Sequence, residues 1–378
     1  MPEFIHPGVF VEEVSFRSKS IEGVSTSTAG FVGATAVGPT DGPVRISSLA
    51  DFERTYGYGC RLTFAGADAP VDNYMWHAAR VFFAQGGERL FVQRVIGPEE
   101  RRPGAAEYEL GLRKLEKSPE VAIVAAPGEP IAQTLVEHAE RTRYRFAVVD
   151  PASGQTVDGV VALRDAINSS YAALYYPWVR VHDPITETEI DLPPSGFVAG
   201  IYARNDINRG VFKAPADEPL AGAAGLATRL SDREAAALSS RGINALRSSG
   251  SRHVRIWGAR TMSANPEWKY VHIRRYFLYL EHSIDRGTQW TVFDPNGEDL
   301  WASVRSTISD FLLAEFRRGA LAGDKAEESF VVRCDRITMT QNDLDNGRLV
   351  CVVGVAPLWP AEFVDIHVGR WTADHHGP

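Results

Sequence analysis

Cysteine is scarce in this chain, with three residues among 378. Cys60, Cys334 and Cys351 are far apart, so their spacing favours neither a disulfide framework nor a metal cluster. The sequence also lacks an apolar run near the ~20 residues of a membrane span, and its start lacks a basic region followed by an apolar core. We therefore expect a chain that assembles in a reducing cytoplasm and does not insert directly into a membrane.

A surplus of basic residues is missing too. Lysine and arginine number 40 against 48 acidic residues, for a formal charge of −8, whereas a general nucleic-acid binder relies on basic patches. Hydrophobic residues make up 44% and charged residues 23%, as in ordinary soluble globular proteins. Because 378 residues exceed the size at which one core keeps growing, two or three subdomains are expected, and no nucleic-acid partner.

Signatures of catalysis are absent as well. Ser195 does not fit the Gly-x-Ser-x-Gly pattern that presents the nucleophile in one large hydrolase class, and a loop turn explains it better. The acidic residues between 183 and 191 lack His or Cys at ligand spacing. Four glycines match neither common phosphate-loop pattern: Gly23, Gly30, Gly33 and Gly38. We predict no catalytic, cofactor-binding or metal-binding residues and no enzymatic activity.

The middle of the chain alternates apolar strand-like runs with helical runs. The strand-like runs cover 121–125, 146–149 and 172–176, and the helical runs between them cover 131–141 and 159–168. Continuous apolar strands between helices are typical of a parallel sheet covered on both faces. The sequence therefore predicts a doubly wound α/β core.

Local capping signals place two further helices. A predicted helix over 73–84 follows Asp72 as its expected cap. Ser231 and Glu234 have the spacing of a capping box, which predicts a helix running towards Leu238.

The last third of the chain changes character. Asn265 as cap, Pro266 at the first helical position and Gly287 as stop enclose one predicted helix, and a second spans 300–318. Two β-rich runs, 330–334 and 348–356, then flank a polar connector that contains turn residues. Two helices followed by a hairpin-like pair predict an α+β unit.

Both ends of the chain have the pattern of extended segments. Residues 9–14 form a short run with the alternating pattern of a strand. Residues 363–368 form another such run after Pro357 and Pro360. No later segment of the chain can pair with the second run. Each segment could be an edge strand of the chain's own sheet or an arm that pairs elsewhere.

Specific motifs lie along almost the whole length of the chain. They are Pro7-Gly8-Val9-Phe10-Val11-Glu12-Glu13, Thr28-Ala29-Gly30-Phe31-Val32-Gly33, Tyr176-Pro177-Trp178, Phe316-Arg317-Arg318-Gly319, Met339-Thr340-Gln341-Asn342 and Pro360-Ala361-Glu362-Phe363. Together they resemble the tail sheath proteins of contractile phages and related injection systems, and those near the end are the most specific.

The resemblance implies a central, partly subtilisin-like α/β core, a C-terminal α+β domain and extended arms. It also implies a structural subunit that polymerises helically around an inner tube and contracts from a metastable extended state, driving the tube through a target envelope. The arms would add strands to sheets of neighbouring subunits. The expected arm contacts are Val9, Phe10, Val11, Phe363, Val364, Ile366 and Val368.

The implied partners are further copies of the chain, in a helix or sixfold rings, with the inner tube, baseplate and cap proteins and, in some systems, a sheath paralogue. Arg305, Arg317 and Arg318 could contact an acidic tube surface, although the last two could instead complement the C-terminal end of their helix. The particle would be a virion or a tail-like particle that is released or acts extracellularly. A hydrolase-like or nucleotide-binding enzyme and a static shell subunit remain as alternatives.

A charged link with Pro and Gly at 97–104 suggests one boundary between folding units. The predicted division is an N-terminal arm over 1–20, an N-terminal α/β portion over 21–100, a central α/β domain over 101–258, a C-terminal α+β domain over 259–358 and a C-terminal arm over 359–378.

Overall fold

The computed structural model describes residues 20–249, 253–360 and 362. Its first half alternates strands and helices, as the apolar runs predict. In order, these are β1 (Ala29–Gly33), β2 (Val44–Ile46), α1 (Leu49–Tyr56), α2 (Tyr74–Ala84), β3 (Leu90–Arg94), α3 (Ala105–Leu115), β4 (Ile123–Ala125), α4 (Ala132–Thr142), β5 (Phe146–Val149), α5 (Val157–Ala166) and β6 (Ala172–Tyr176).

The next part adds a small antiparallel sheet and completes the large one. Its elements are β7 (Val179–His182), β8 (Glu189–Leu192), α6 (Ser195–Arg209), β9 (Ala223–Leu226), α7 (Asp232–Ser240), β10 (Ile243–Ser249) and β11 (His253–Trp257). Strand β7 pairs with both β8 and β9 in the small sheet. The predicted capping box is present, since the Glu234 backbone N–H donates to Ser231 Oγ and the Ser231 N–H donates to Glu234 Oε2.

The large sheet has eight strands in the order β11-β10-β6-β5-β4-β1-β3-β2. The six strands from β10 to β3 run parallel, and an antiparallel strand closes each edge. Side chains alternate between two cores: Phe31 packs with α2 and α6 on one face, and Val32 with α3 and α4 on the other. The doubly wound core is confirmed. The division predicted near residue 100 falls between β3 and β4 of this one sheet.

The C-terminal unit is the predicted α+β arrangement. It contains α8 (Val271–Thr288), α9 (Glu298–Arg317), α10 (Ala326–Ser329), β12 (Phe330–Arg333), α11 (Gln341–Asp345) and β13 (Val352–Val355). Strands β12 and β13 pair antiparallel as a two-stranded sheet, and α11 lies in the connector between them. A third apolar core, which includes Tyr276, Trp301 and Phe311, joins α8 and α9 to this hairpin.

Local signals misplaced several boundaries. Asn265 caps a short 3₁₀ turn, Pro266–Trp268, whereas α8 begins at Val271. Gly287 lies inside α8 rather than ending it. A Cβ there would be 2.5 Å from Ile21 Cγ1, so the glycine makes room for Ile21. Asn73, not Asp72, caps α2 through a hydrogen bond from the Trp76 N–H.

Candidate functional site

Residues 20–28, here the N-terminal root, lie against the second half of α8. The Val24 N–H donates to Ser283 Oγ at 3.1 Å, and that hydroxyl donates to the Tyr279 carbonyl at 2.7 Å. Gly23 contacts the Tyr279 ring so closely that a Cβ would lie 2.2 Å from the phenol oxygen. The close approach therefore requires glycine, and it holds the N-terminal root against α8.

A buried ion pair between Arg275 of α8 and Asp206 of α6 also holds the N-terminal root. The Arg275 guanidinium donates to both carboxylate oxygens of Asp206, at 3.0 and 2.7 Å, and to the Thr26 carbonyl at 3.0 Å. The two side chains are 3% and 1% exposed, and Arg275 lies 4.6 Å from the Tyr202 ring centroid. Burial raises the pKa of Asp206, although Arg275 favours the charged form. This cluster joins the root to α6 and α8.

Residues 356–360 and 362, the C-terminal root, leave from the other end of α8. The Glu362 carboxylate accepts hydrogen bonds from Arg260 Nε at 2.7 Å, Lys269 Nζ at 3.0 Å and Tyr270 Oη at 2.8 Å. The Trp359 ring packs edge-on against Tyr270 at 5.8 Å. Burial alone raises the pKa of Glu362, but these hydrogen bonds outweigh it and lower the pKa below its ordinary value.

Helix α8 connects the two roots. Tyr270 at its N-cap and Gly287 near its end are separated by about 26 Å at ~1.5 Å per residue. Its central tyrosines, Tyr276 and Tyr279, donate to the buried Glu315 carboxylate of α9 at 3.3 and 3.0 Å. Both roots and α9 therefore make hydrogen bonds with α8 or its N-cap.

The β12–β13 hairpin lies next to the C-terminal root and leaves both of its edges open in the described part of the chain. The Ala356 N–H donates to the Ser329 carbonyl at 2.8 Å, which makes 329 and 356 a hydrogen-bonded pair. By alternation, the N–H and C=O groups of Val332 point away from the hairpin on one edge, and those of Val353 and Val355 on the other. Such edges are templates for an added strand.

The predicted arm residues Val9, Phe10, Val11, Phe363, Val364, Ile366 and Val368 lie outside the described residues.

The three arginines proposed for tube contact differ in their surroundings. Arg305 donates to the Cys334 carbonyl at 3.2 Å, and Arg318 donates to Glu315 at 2.8 Å. Arg317, in the last turn of α9, is exposed and has no ion pair with any described residue. Of the three, Arg317 has the charge most available to a partner.

Ser195 is not in a loop turn, as the sequence suggested. It begins α6, is fully buried, and its hydroxyl donates to Asp150 Oδ2 at 2.6 Å while its N–H donates to Asp150 Oδ1 at 2.8 Å. Burial raises the pKa of Asp150 to about 6. No hydrogen bond among the described residues joins Ser195 to a histidine. The pair ties α6 to the end of β5 and does not form a nucleophile–base arrangement.

Within the described residues, no group of three or more His, Cys, Asp or Glu side chains could hold a metal ion. In the same part of the chain, no helix is both long and apolar enough to cross a membrane.

Known protein families match most of the chain. Residues 102–262 match the family model of the phage tail sheath protein central domain, and residues 263–368 match that of the phage tail sheath C-terminal domain. The chain belongs to the phage tail sheath family. Together, the two matches cover the parallel sheet from β4 onward and the entire α8–β13 unit.

Relatives and solved structures agree with this membership. A prophage major tail sheath protein of Pseudomonas aeruginosa strain UCBPP-PA14 is 24% identical over 76% of this chain and 78% of its own. The tail sheath protein of Burkholderia phage BcepMu is 28% identical over 48% of this chain and 41% of its own.

Two solved structures match almost end to end. The contracted PVC sheath complex of an extracellular contractile injection system is 29% identical, with a TM-score of 0.78, covering 99% of both chains. The contracted helical sheath of the anti-feeding prophage is 28% identical, with a TM-score of 0.79, covering 97% of this chain and 99% of that one. This sheath protein is thus a structural subunit of a contractile sheath.

Sequence reasoning missed the residues that anchor the roots. Glu362 belongs to the Pro360–Phe363 motif, so the sequence indicated that the position matters. It did not indicate that Glu362 binds Arg260, Lys269 and Tyr270. Asp206 and Arg275 are 69 positions apart and belong to no motif, so only the folded structure reveals them.

Proposed function

We propose that copies of this chain polymerise into a helical sleeve around an inner tube, joined by their terminal arms. The N-terminal arm of one copy and the C-terminal arm of another add strands to the β12–β13 hairpin of a third. On contraction, the folded bodies rotate while the arms keep them linked, and the sleeve drives the tube through a target envelope.

The observation that carries this proposal is the open-edged hairpin beside an arm root. A two-stranded sheet alone is marginal in water, and the outward groups of Val332, Val353 and Val355 offer hydrogen bonds to a strand on either edge. Two groups on each of these residues allow four hydrogen bonds on the β13 edge and two on the β12 edge. At roughly 1 kcal/mol net per bond, the linkages are worth on the order of 4 and 2 kcal/mol before side-chain burial and ordering costs. That suffices for a tether in a polymer where each subunit has two arms.

The roots explain how force reaches the body. Both roots contact α8 or its N-cap, and α8 is held by Glu315 of α9 and by the Asp206–Arg275 pair. A pull on the N-terminal arm is therefore transmitted along α8 towards the C-terminal root. It also reaches the parallel sheet, because the N-terminal root runs directly into β1 and its Thr28 carbonyl accepts hydrogen bonds from the Ala122 and Ile123 N–H groups. The eight-stranded core can then rotate as a rigid unit.

Tube contact is assigned to the exposed end of α9. Arg317 carries an unpaired charge among the described residues, Arg318 follows it, and Arg305 lies more than three turns earlier on the same helix. Exposed ion pairs are worth ~0–1 kcal/mol each, which is weak enough for the sleeve to release the tube. Arg317→Glu should weaken co-sedimentation of tube with sheath more than Arg45→Glu, a charge reversal at an exposed position of β2.

Other partners follow from the relatives. The anti-feeding prophage baseplate contains a chain 28% identical to this one in a six-fold symmetrised particle, with a TM-score of 0.78, which supports self-assembly in sixfold rings and baseplate association. We propose a cap protein, assembly in the cytoplasm and a particle that is released or acts extracellularly. Membership in a structural family favours a role without catalysis. Contraction of the relatives favours a dynamic sleeve over a static shell.

The decisive experiment images polymers of the purified chain, with tube and baseplate supplied as templates. Removing residues 1–15 should abolish long sleeves, whereas removing residues 373–378, which lie beyond the predicted C-terminal strand, should not. Val332→Pro removes an outward N–H from β12, and Val332→Ala is its control because it loses the same packing and keeps the N–H. Equal polymerisation by the proline and alanine variants, and by the chain lacking residues 1–15, would refute linkage by strand addition.

A further inference from the structure

Two cysteines face each other at the end of the hairpin. The β12–β13 register pairs Arg333 with Val352, so the next position places Cys334 opposite Cys351. Because 329 and 356 form a hydrogen-bonded pair, alternation makes 334 and 351 a non-hydrogen-bonded pair. In such pairs the Cα atoms are ~4.5 Å apart and the side chains lie close together. Disulfides span Cα separations of about 4.4–6.8 Å.

The side chains are positioned as the register requires. Both belong to the third core, and the Cys334 and Cys351 thiols lie close enough to interact with each other. Cys334 is buried and Cys351 is half-buried, and both are free thiols. Arg305 holds the Cys334 carbonyl at 3.2 Å, and Thr338 Oγ1 donates to the Val350 carbonyl at 2.9 Å. A side chain outside the two strands therefore fixes the backbone at Cys334, and another fixes the backbone next to Cys351.

We propose that Cys334 and Cys351 form a reversible disulfide when the particle meets an oxidising medium, with a small-molecule disulfide such as oxidised glutathione as the oxidant. The half-buried Cys351 thiolate attacks one sulfur of the oxidant, forming a mixed disulfide and releasing one glutathione thiolate. The Cys334 thiolate then attacks the Cys351 sulfur and releases the second. Two protein thiols are oxidised, one glutathione disulfide is reduced, and the two protons are taken up by the two glutathione thiolates.

The bond would close the connector over 335–350 and fasten the hairpin at the end away from the C-terminal root. Its use in the assembled sleeve rests on the proposed function: a hairpin that accepts neighbouring arms would resist separation of its own strands during contraction. Burial raises the pKa of Cys351 to about 12 and also raises that of Cys334. Thiolate is therefore scarce at neutral pH, so exchange with the oxidant is slow there and becomes faster as pH rises.

The test uses the full chain before assembly, so that it does not depend on polymerisation. The chain is incubated with oxidised glutathione, the remaining thiols are alkylated, and disulfides are located by peptide mass spectrometry. A Cys334–Cys351 peptide is expected, and its rate of formation should rise ~10-fold per pH unit below the thiol pKa. Cys60→Ser should leave the bond and its rate unchanged, because Cys60 is exposed and outside the pair.

Cys334→Ser separates the two chemical steps. This variant should accumulate glutathione on Cys351, because the resolving thiol is gone. In the wild type, a stable glutathione adduct on Cys351 with Cys334 still alkylatable would overturn the proposal, as would disulfides that all involve Cys60. Amide exchange in β12 and β13 should slow several-fold in the oxidised chain, and unchanged exchange would contradict the fastening of the hairpin.

Discussion

The strongest stability prediction concerns the buried pair that anchors the N-terminal root. Arg275→Met keeps an unbranched side chain that reaches the position of the arginine Nε, but it removes two hydrogen bonds to Asp206 and one to the Thr26 carbonyl. It leaves a carboxylate that is 1% exposed without its cation. Breaking a buried pair in this way costs about 3–5 kcal/mol. We expect the free energy of unfolding to fall by that amount at pH 7.

The double variant Arg275→Met/Asp206→Leu isolates the reason for the loss. Replacing a buried ion pair by apolar residues of similar size is often neutral, so the double variant should regain most of the stability that the single variant loses. The single variant should also recover as pH falls towards 3.8, the ordinary carboxyl value. Protonation then removes the buried charge, because burial has raised the pKa of Asp206 in the folded state.

Urea unfolding, followed in parallel by fluorescence and circular dichroism, measures these differences. Arg241→Met is the matched control, because Arg241 and Asp165 form a 2.8 Å ion pair at 52% and 55% exposure. Exposed pairs contribute ~0–1 kcal/mol. A loss in Arg275→Met no larger than in this control, or a double variant that loses as much as the single one, would show the buried-charge argument to be wrong.

Three further predictions concern single sites. Burial raises the pKa of Asp150 from 3.8 to about 6. The stability gained from protonated Asp150 is therefore present at low pH and lost as pH rises through about 6. In urea unfolding, the free energy of unfolding that Asp150→Asn loses relative to wild type should be smaller at pH 7 than at pH 4. The pKa of Glu362 is lowered below its ordinary 4.5, so its contribution is present above that value and lost as pH falls through the lowered pKa. Glu362→Gln should accordingly speed amide exchange in the C-terminal root at pH 7, and equal exchange in both chains would contradict the anchor. Gly23→Ala should cost about 1–3 kcal/mol because its Cβ would lie 2.2 Å from Tyr279 Oη, whereas Gly42→Ala, with nothing within 4 Å, should be near neutral; thermal unfolding compares the two.

Much of the fold could be predicted from local pattern. The buried strands β4, β5 and β6 have continuous apolar runs because helices cover both faces of their sheet, and that pattern is typical of a parallel sheet. The Ser231–Glu234 box marked the start of α7 because both of its hydrogen bonds close within one turn. The hairpin could be predicted because two β-rich runs flank turn residues.

Errors arose where a local signal had a different tertiary use. Asn265 and Pro266 form a good helix start, but they cap a 3₁₀ turn, and α8 begins after it. Gly287 has the look of a helix stop, yet it is in the helix to make room for Ile21 from the N-terminal root. Ser195 resembled a turn residue, but it donates to the buried Asp150.

By itself, the sequence determined the fold class, the hairpin and the family resemblance, because hydrophobic period, capping residues and short motifs are properties of neighbouring positions. Only the tertiary structure decided which distant residues act together: Arg275 with Asp206, Glu362 with Arg260, and Cys334 with Cys351. Each of these pairs depends on how whole elements dock. A single charged or sulfur-containing residue has no local sequence pattern that indicates its partner. The partner is therefore decided by the packing of distant elements.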